Sequence, residues 1–344
     1  MIRDIILTYR KTQMRRGTMN IKLKEKCDLA IGNRAVINKT FRFEEGLMKS
    51  TGAVALAVEE AKAGEDELKE AKKILKENVS AFSDFRAMLE IPTVVRMVLS
   101  KDPEDYIKRA IEVNKKVKKI KSLGGEYRVV ASMTLLDKKS DAEIDAYVDK
   151  TIETYKRMSK THPVITGSED VPFAAALALS DKDVESLVNE ADECYSIIKK
   201  KMRLSGNIAQ SVSHILALYE ESSEAKCEKF LNLYNTLKEN DVKIGKSYEL
   251  VTLGSLLNSG VDAQTLAKEI KEVSDYLKSA KGFGNGTIGK KIRNALAIML
   301  VADVYAGERT TSNLSVLNSI IFTITMQYVM IAVVACTVAS SNSH

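Results

Sequence analysis

Apolar positions in this chain recur on two scales. Over a few residues they step by three and four, the mark of an amphipathic helix. The stripes are Ile111 and Val117; Ile152, Tyr155 and Met158; Ala191, Tyr195 and Ile198; Leu231, Tyr234 and Leu237; and Ile270, Val273 and Leu277. On the longer scale, an apolar helix end followed by polar residues with Ser or Asp returns at Leu56, Leu99, Leu136, Leu179, Leu218, Leu257 and Leu300, at spacings of 43, 37, 43, 39, 39 and 43. A period of that length predicts stacked helical units, none of which buries its apolar face alone.

Each unit reads as two helices. The first, A, is apolar on more than one face and runs into the anchor leucine; the second, B, is amphipathic. Gly124, Gly167, Gly206 and Gly245 stand twelve positions before their anchors, which suits a left-handed helix C-cap between units. Ala131, Ala174, Ser213, Thr252 and Ala295, five before, are small enough for close helix approach. Start signals for B follow the anchors. Asp102-Pro103 is a cap before a first-turn proline, and Ser140 with Glu143 has capping-box spacing. Ser180, Ser223 and Ser259 occupy comparable places. Tyr155, Tyr195 and Tyr234 recur in register, as packing aromatics do.

Composition agrees with an all-helical chain: 344 residues include only 4 prolines and no tryptophan. The balance of 52 basic and 46 acidic side chains, net +6, falls short of the concentrated stripe of a dedicated nucleic-acid binder. Cys27, Cys194, Cys227 and Cys336 are scattered, so neither a zinc site nor a disulfide framework is indicated, and a reducing compartment fits. No cofactor is implied. Residues 1–18 are basic without an apolar run, and Met19 opens a cleaner segment. Translation is expected to start there, making 1–18 a disordered or non-native extension.

Two groups of residues carry candidate chemistry. The first is Gly284-Asn285-Gly286-Thr287-Ile288-Gly289-Lys290-Lys291, which matches most of a phosphate-binding loop. Lys291 stands where a magnesium-holding hydroxyl belongs, and helices rather than a strand flank it. Anion binding by Gly286, Gly289, Lys290, Lys291 and Arg293 is the functional reading; a glycine-rich turn is the simpler one. The second is a polar row at successive A-helix starts, with Glu169, Asp170, Gln210, Tyr248 and Glu249, and His214 close by. Equivalent positions of an array share one edge, where a ligand would bind. Acids at helix starts also serve as caps, and a lone histidine in an apolar helix suits a core. Lysine runs at B-helix ends, such as Lys199-Lys200-Lys201, complement the helix dipole. No nucleophile, base and orienter can be paired, so no catalytic residue is named.

Several stretches together resemble a bacterial family catalogued as domain of unknown function 4003: Phe82-Ser83-Asp84-Phe85-Arg86, Ser168-Glu169-Asp170, Gln210-Ser211-Val212-Ser213-His214, Lys246-Ser247-Tyr248-Glu249-Leu250, and Lys281-Gly282-Phe283-Gly284 through Lys290-Lys291-Ile292-Arg293. The resemblance runs from about Met19 to the C-terminus. It implies no activity, substrate or catalytic residue.

The 35 residues after Arg309 contain no Asp, Glu, Lys or Arg. Within them, 320–339 is long and apolar enough for a membrane span, with Lys290, Lys291, Arg293 and Arg309 holding the rest in the cytoplasm. The competing reading places this tail as the B helix after the last A helix, buried in the array or facing a second copy. Ser315, Ser319, Thr323 and Gln327, spaced by four, give it a polar stripe.

The expectation is an all-α solenoid-like stack of six to seven hairpins over residues 19–309, followed by an apolar C-terminal helix over 310–344. The leading function is a cytoplasmic, non-catalytic scaffold that binds a protein or peptide partner. The alternatives are an enzyme or small-ligand binder between A helices around Glu169, His214 and Glu249, and anion or nucleic-acid binding through the basic clusters.

Overall fold

The computed structural model describes residues 19–86, 88–120, 124–137 and 139–306. The extension at 1–18 and the tail at 310–344 lie outside the described residues. In chain order the helices are α1 (Ile21–Thr40), α2 (Gly46–Val58), α3 (Glu65–Asn78), α4 (Glu90–Leu99), α5 (Pro103–Val117), α6 (Gly125–Leu136), α7 (Asp141–Thr161), α8 (Val171–Ala178), α9 (Val184–Met202), α10 (Gly206–Leu216), α11 (Ser223–Glu239), α12 (Ala263–Lys278) and α13 (Gly289–Ala306). A 3-10 turn, Ser168–Asp170, leads into α8, and a longer 3-10 segment, Tyr248–Leu256, stands between α11 and α12. Among the described residues there is no strand.

The helices sort into two layers. The amphipathic B helices, α1, α3, α5, α7, α9, α11 and α12, pack side by side in that order, and α12 packs back on α1. Inside them lie α2, α4, α6, α8, α10, the long 3-10 segment and α13, with α13 packed back on α2. The described residues therefore form a closed ring of seven two-element units, a closure that the solenoid-like stack expected from the period did not include. Local periodicity predicts neighbours; it does not say whether the last unit meets the first.

Closure has specific contacts. Tyr276 of α12 donates to Asp28 Oδ1 of α1 at 2.5 Å. Lys26 of α1 meets Asp303 of α13 at 2.7 Å and donates to the carbonyls of Ala57 and Val58. Burial raises the Asp303 carboxyl above its ordinary range, and Lys26 opposes that shift. Ser50 accepts from Arg34 Nε at 3.0 Å and donates to Gly282 O at 2.7 Å. Gly282 has φ +95°, and a Cβ there would lie 2.8 Å from Arg34 Nε. The place where an eighth outer helix would follow α13 is filled by α1.

Inner helices are buried all round: every residue of α8, and 128–136 of α6, is buried. Hydroxyls in these helices bond their own backbone. Ser132 donates to Arg128 O, Thr134 to Val130 O and Ser211 to Asn207 O, so these hydroxyls enter an apolar layer satisfied. The small residues Ala131, Ala174, Ser213, Thr252 and Ala295 are all buried at this layer. Six anchor leucines fall at or near inner-helix ends, and Leu300 lies within α13.

Short connections between packed helices force them antiparallel. All inner helices therefore begin on one face of the ring, here the N-face, and end on the other, the C-face. Cross-unit contacts respect that division. On the N-face Asn207 reaches Glu169, Lys246 reaches Met202 O, and Asn294 reaches Lys243 O. On the C-face Lys150 reaches the Ser180 and Lys182 carbonyls, and Lys182 reaches those of Ala217 and Tyr219.

Two local expectations change. Of the four repeat glycines only Gly124 has positive φ, +71°, and it starts α6 instead of ending α5. At Gly167 and Gly245 a Cβ would stand 2.2 Å from Glu169 Oε2 and 1.9 Å from Glu249 Oε1, so a side chain there would make the folded-back carboxylate move. Asp102 caps α5, and Ser140 with Glu143 forms its box. The later caps, however, are Asp183, Ser222 and Asp262. Ser180 and Ser259 instead accept from the amides two residues on, one turn earlier.

Candidate functional site

The polar row foreseen at A-helix starts does lie on the N-face, and its members are largely occupied by one another. Asp170 Oδ2 accepts from Gly167 N at 2.8 Å, closing the 3-10 turn before α8. Glu169 Oε1 accepts from Asn207 Nδ2 of the next inner helix at 3.2 Å. Gln210, one turn further into α10, donates through Nε2 to Thr166 Oγ1 at 2.9 Å, while its buried Oε1 has no hydrogen-bond partner. His214, a further turn along, packs against Phe173 of α8 with centroids 5.3 Å apart, and its Nδ1 is likewise buried without a partner. Burial, with a smaller contribution from His162, pushes this imidazole down to about 3, so it is neutral near pH 7. Glu249 stands apart in another turn, folded over Gly245. Tyr248 opens the long 3-10 segment, and its side chain lies outside the described residues.

Glu169, Asp170, Gln210 and His214 thus share the seam between α8 and α10, but as caps, bridges and core. His162, at the end of α7, tilts against Tyr195 at 4.3 Å, and its Nε2 lies 3.0 Å from Asp192 Oδ1 without hydrogen-bond geometry.

The glycine-rich segment opens α13 at Gly289, with φ +71°. Its cations diverge. Arg293 turns inward, 2% exposed, and donates to Phe283 O, Asn285 Oδ1 and Ser274 Oγ at 3.2, 2.8 and 3.3 Å. Lys290 pairs with Asp241 at 3.0 Å, which lowers the Asp241 carboxyl, and Lys291 is exposed. A Cβ at Gly286 would meet nothing within 4 Å. The loop is stapled from within by Arg293, and Gly286, Gly289, Lys290 and Lys291 do not converge on a common point with it.

A cleft of about 570 Å³ at the end of α1 is lined by Lys39, Thr40, Lys69, Lys72, Lys73, Lys76 and Glu77. Much of its charge is answered: Lys69 and Lys39 pair with Glu65, and Lys72 pairs with Glu44 and Glu90. Cys27, Cys194 and Cys227 are buried, and burial pushes the Cys27 thiol up to about 12. Among the described residues no group of three or more His, Cys, Asp or Glu could hold a metal ion, and no helix is long and apolar enough to cross a membrane.

The feature that single-residue reasoning missed is the asymmetry of the ring. Outer helices run parallel, so charges that complement each helix dipole accumulate by face. Each of the seven has lysine in its last turn: Lys39, Lys76, Lys115, Lys160, Lys200, Lys238 and Lys278. All these side chains are exposed, on the N-face. First turns on the C-face carry Glu65, Asp66 and Glu67, Glu104 and Asp105, Asp141 and Glu143, Glu185 and Glu224. Three N-face turns also hold large apolar side chains out in solvent: Phe43 is 100% exposed, Phe82 98% and Val164 95%. Their signal in the sequence is an apolar residue inside a polar connection between two helices.

Comparison with known proteins supplies kinship without an activity. The chain is 22% identical over 279 residues, 78% of its length and 81% of the relative's, to the uncharacterized protein YeaA of Bacillus subtilis (strain 168). No solved structure matches it. The family described as protein of unknown function (DUF4003) matches residues 33–337, and this chain belongs to that family.

Proposed function

We propose that the protein is a non-catalytic binding module whose working surface is the N-face of the ring. The observation that carries this reading is the exposure of Phe43, Phe82 and Val164 on three separate turns of that face. Exposed apolar tips that no internal contact uses are a common mark of docking. The two candidate groups support the same reading, since Asp170 and Glu169 of the polar row and Arg293 of the glycine-rich loop are held by internal hydrogen bonds. A closed ring also lacks the extended concave groove along which an open array grips a peptide, so the partner meets turns instead. Photo-crosslinking side chains placed at 43, 82 and, on the C-face, at 181 test the idea inside cells. Adducts concentrated at 43 and 82 are expected; equal labelling at 181 contradicts the assignment.

A second reading, small-ligand binding at the α8–α10 seam, rests on Gln210 Oε1 and His214 Nδ1, buried one turn apart without partners. With the imidazole neutral, such a ligand would bring N–H or O–H donors to both atoms. Native mass spectrometry of the purified chain tests it. A co-purifying small molecule lost in Gln210→Leu supports it, and identical spectra from both proteins count against it.

A further inference from the structure

We propose that the N-face docks on an anionic lipid surface, with Phe43, Phe82 and Val164 entering the headgroup boundary while the outer-helix lysines meet lipid phosphates. This rests on the N-face being the working surface and names the partner that surface fits. Three properties of the face converge on a bilayer.

Its charge is one-sided because of the architecture. Seven parallel outer helices end there with exposed lysines, and the acids that open five of them sit on the opposite face. The overall charge of +6 understates a field divided between two faces. Polybasic surfaces are drawn to anionic leaflets in this way.

Part of this charge is also unspent, although Lys39, Lys115 and Lys290 are ion-paired. Lys118, Lys119, Lys200 and Lys201 are exposed and make no ion pair with other described residues. By contrast, C-face lysines such as Lys182 and Lys226 are turned into carbonyls and Glu190.

The apolar side chains, finally, are tips. Phe43, Phe82 and Val164 stand almost wholly in solvent on separate turns of the face that carries the last-turn lysines of the outer helices. Apolar side chains beside lysines are the composition that seats a protein at the headgroup boundary, where each group finds its own solvent. A nucleic acid would satisfy the lysines but offers Val164 neither an apolar compartment nor a stacking partner, so lipid fits better.

The test is flotation of the full-length chain with vesicles of phosphatidylcholine alone and with roughly one third phosphatidylglycerol added. Binding to the anionic vesicles is expected, at least about tenfold stronger than to neutral ones and weakening steeply as salt rises from ~0.1 to ~0.5 M. Phe43→Ser with Phe82→Ser should weaken it at least about fivefold, and Lys118→Glu, Lys119→Glu, Lys200→Glu and Lys201→Glu together at least about tenfold. Circular dichroism should be unchanged in both variants, since the substituted side chains are exposed. Equal binding to neutral vesicles, insensitive to both variants, would overturn the proposal; the charge-free 310–344 segment alone would give that result. Absence of vesicle binding, or retention of duplex DNA under conditions where vesicles are released, would also overturn it. Crosslinks from 43 and 82 to protein, without vesicle binding, would remove the lipid and leave the N-face reading standing. Absence of adducts at both positions would remove both.

Discussion

On the C-face of the ring, cations point inward. Lys26 reaches the last carbonyls of α2, Lys182 reaches past the end of α10, and Lys226, 1% exposed, joins Glu190 at 2.6 Å and the Tyr219 carbonyl at 3.2 Å. On the N-face, cations at the ends of the same outer helices point outward, and connecting turns carry bare phenylalanines. Inner-helix ends on the C-face present carbonyls that lysine can satisfy. Inner-helix starts on the N-face present N–H groups, and carboxylates such as Asp170 turn in to meet them. Helix polarity therefore draws Lys26, Lys182 and Lys226 into the structure on the C-face and leaves the last-turn lysines of the outer helices in water on the N-face, although Lys246 there also reaches a carbonyl, that of Met202. Both faces carry contacts that hold the ring; the N-face also leaves three bare apolar tips and the last-turn lysines of the outer helices in water.

Stability measurements break or sharpen this contrast. Lys226→Met should cost the most, about 2 kcal/mol in urea unfolding, because it removes one of the two lysine donors, with Lys182, that serve Glu190 and the Tyr219 carbonyl. A loss under about 0.5 kcal/mol would mean that the C-face contacts are ornamental.

Acidification comes next. Unfolded His214 takes up a proton below its ordinary pKa of 6.5, whereas the folded imidazole resists until about 3. Stability from this group is complete above pH 6.5 and is lost as pH falls toward 3, by at most about 1.4 kcal/mol per unit. His214→Leu should flatten that part of the pH dependence. An unchanged slope would show that the ring can take a proton where it lies.

Gly282→Ala should cost about 1–2 kcal/mol, through positive-φ strain and the crowded Arg34. Asn207→Ala, which releases only a half-buried Glu169, should cost about 1 kcal/mol. Phe43→Ser and Phe82→Ser should be smallest, within about 0.5 kcal/mol by thermal or urea unfolding, since neither side chain has an internal partner to lose. A large loss at Phe43 or Phe82 would return the N-face to structure.

The sequence made part of this legible. The forty-residue period located inner-helix ends, and the caps at Asp102 and Ser140 form as their spacing predicts. Closure was not legible, because it depends on Asp28 meeting Tyr276 and Ser50 meeting Gly282, pairs with no local pattern. The glycines were visible, but their surroundings were not: at Gly167 and Gly245 a carboxylate folds back where a side chain would stand. For the candidate residues, the place of Glu169, Asp170, Gln210 and Glu249 at the starts of successive inner elements was foreseen. Their state was not, since only packing reveals that Arg293 turns inward to the loop and that His214 is sealed against Phe173. The Phe43 and Phe82 tips read as ordinary loop residues until the ring gathers their turns on one side.

The account stands on ring closure, and a distance between its ends tests that most directly. Spin labels carried by non-native amino acids at Lys24 of α1 and Asp275 of α12 can be read by pulsed electron paramagnetic resonance. Lys24 lies 5.8 Å from the Tyr276 ring, so the closed ring predicts a single distance below roughly 25 Å. An open array of seven hairpins, with helices spaced by about 8–10 Å, would put the labels about 50 Å or more apart and contradict it.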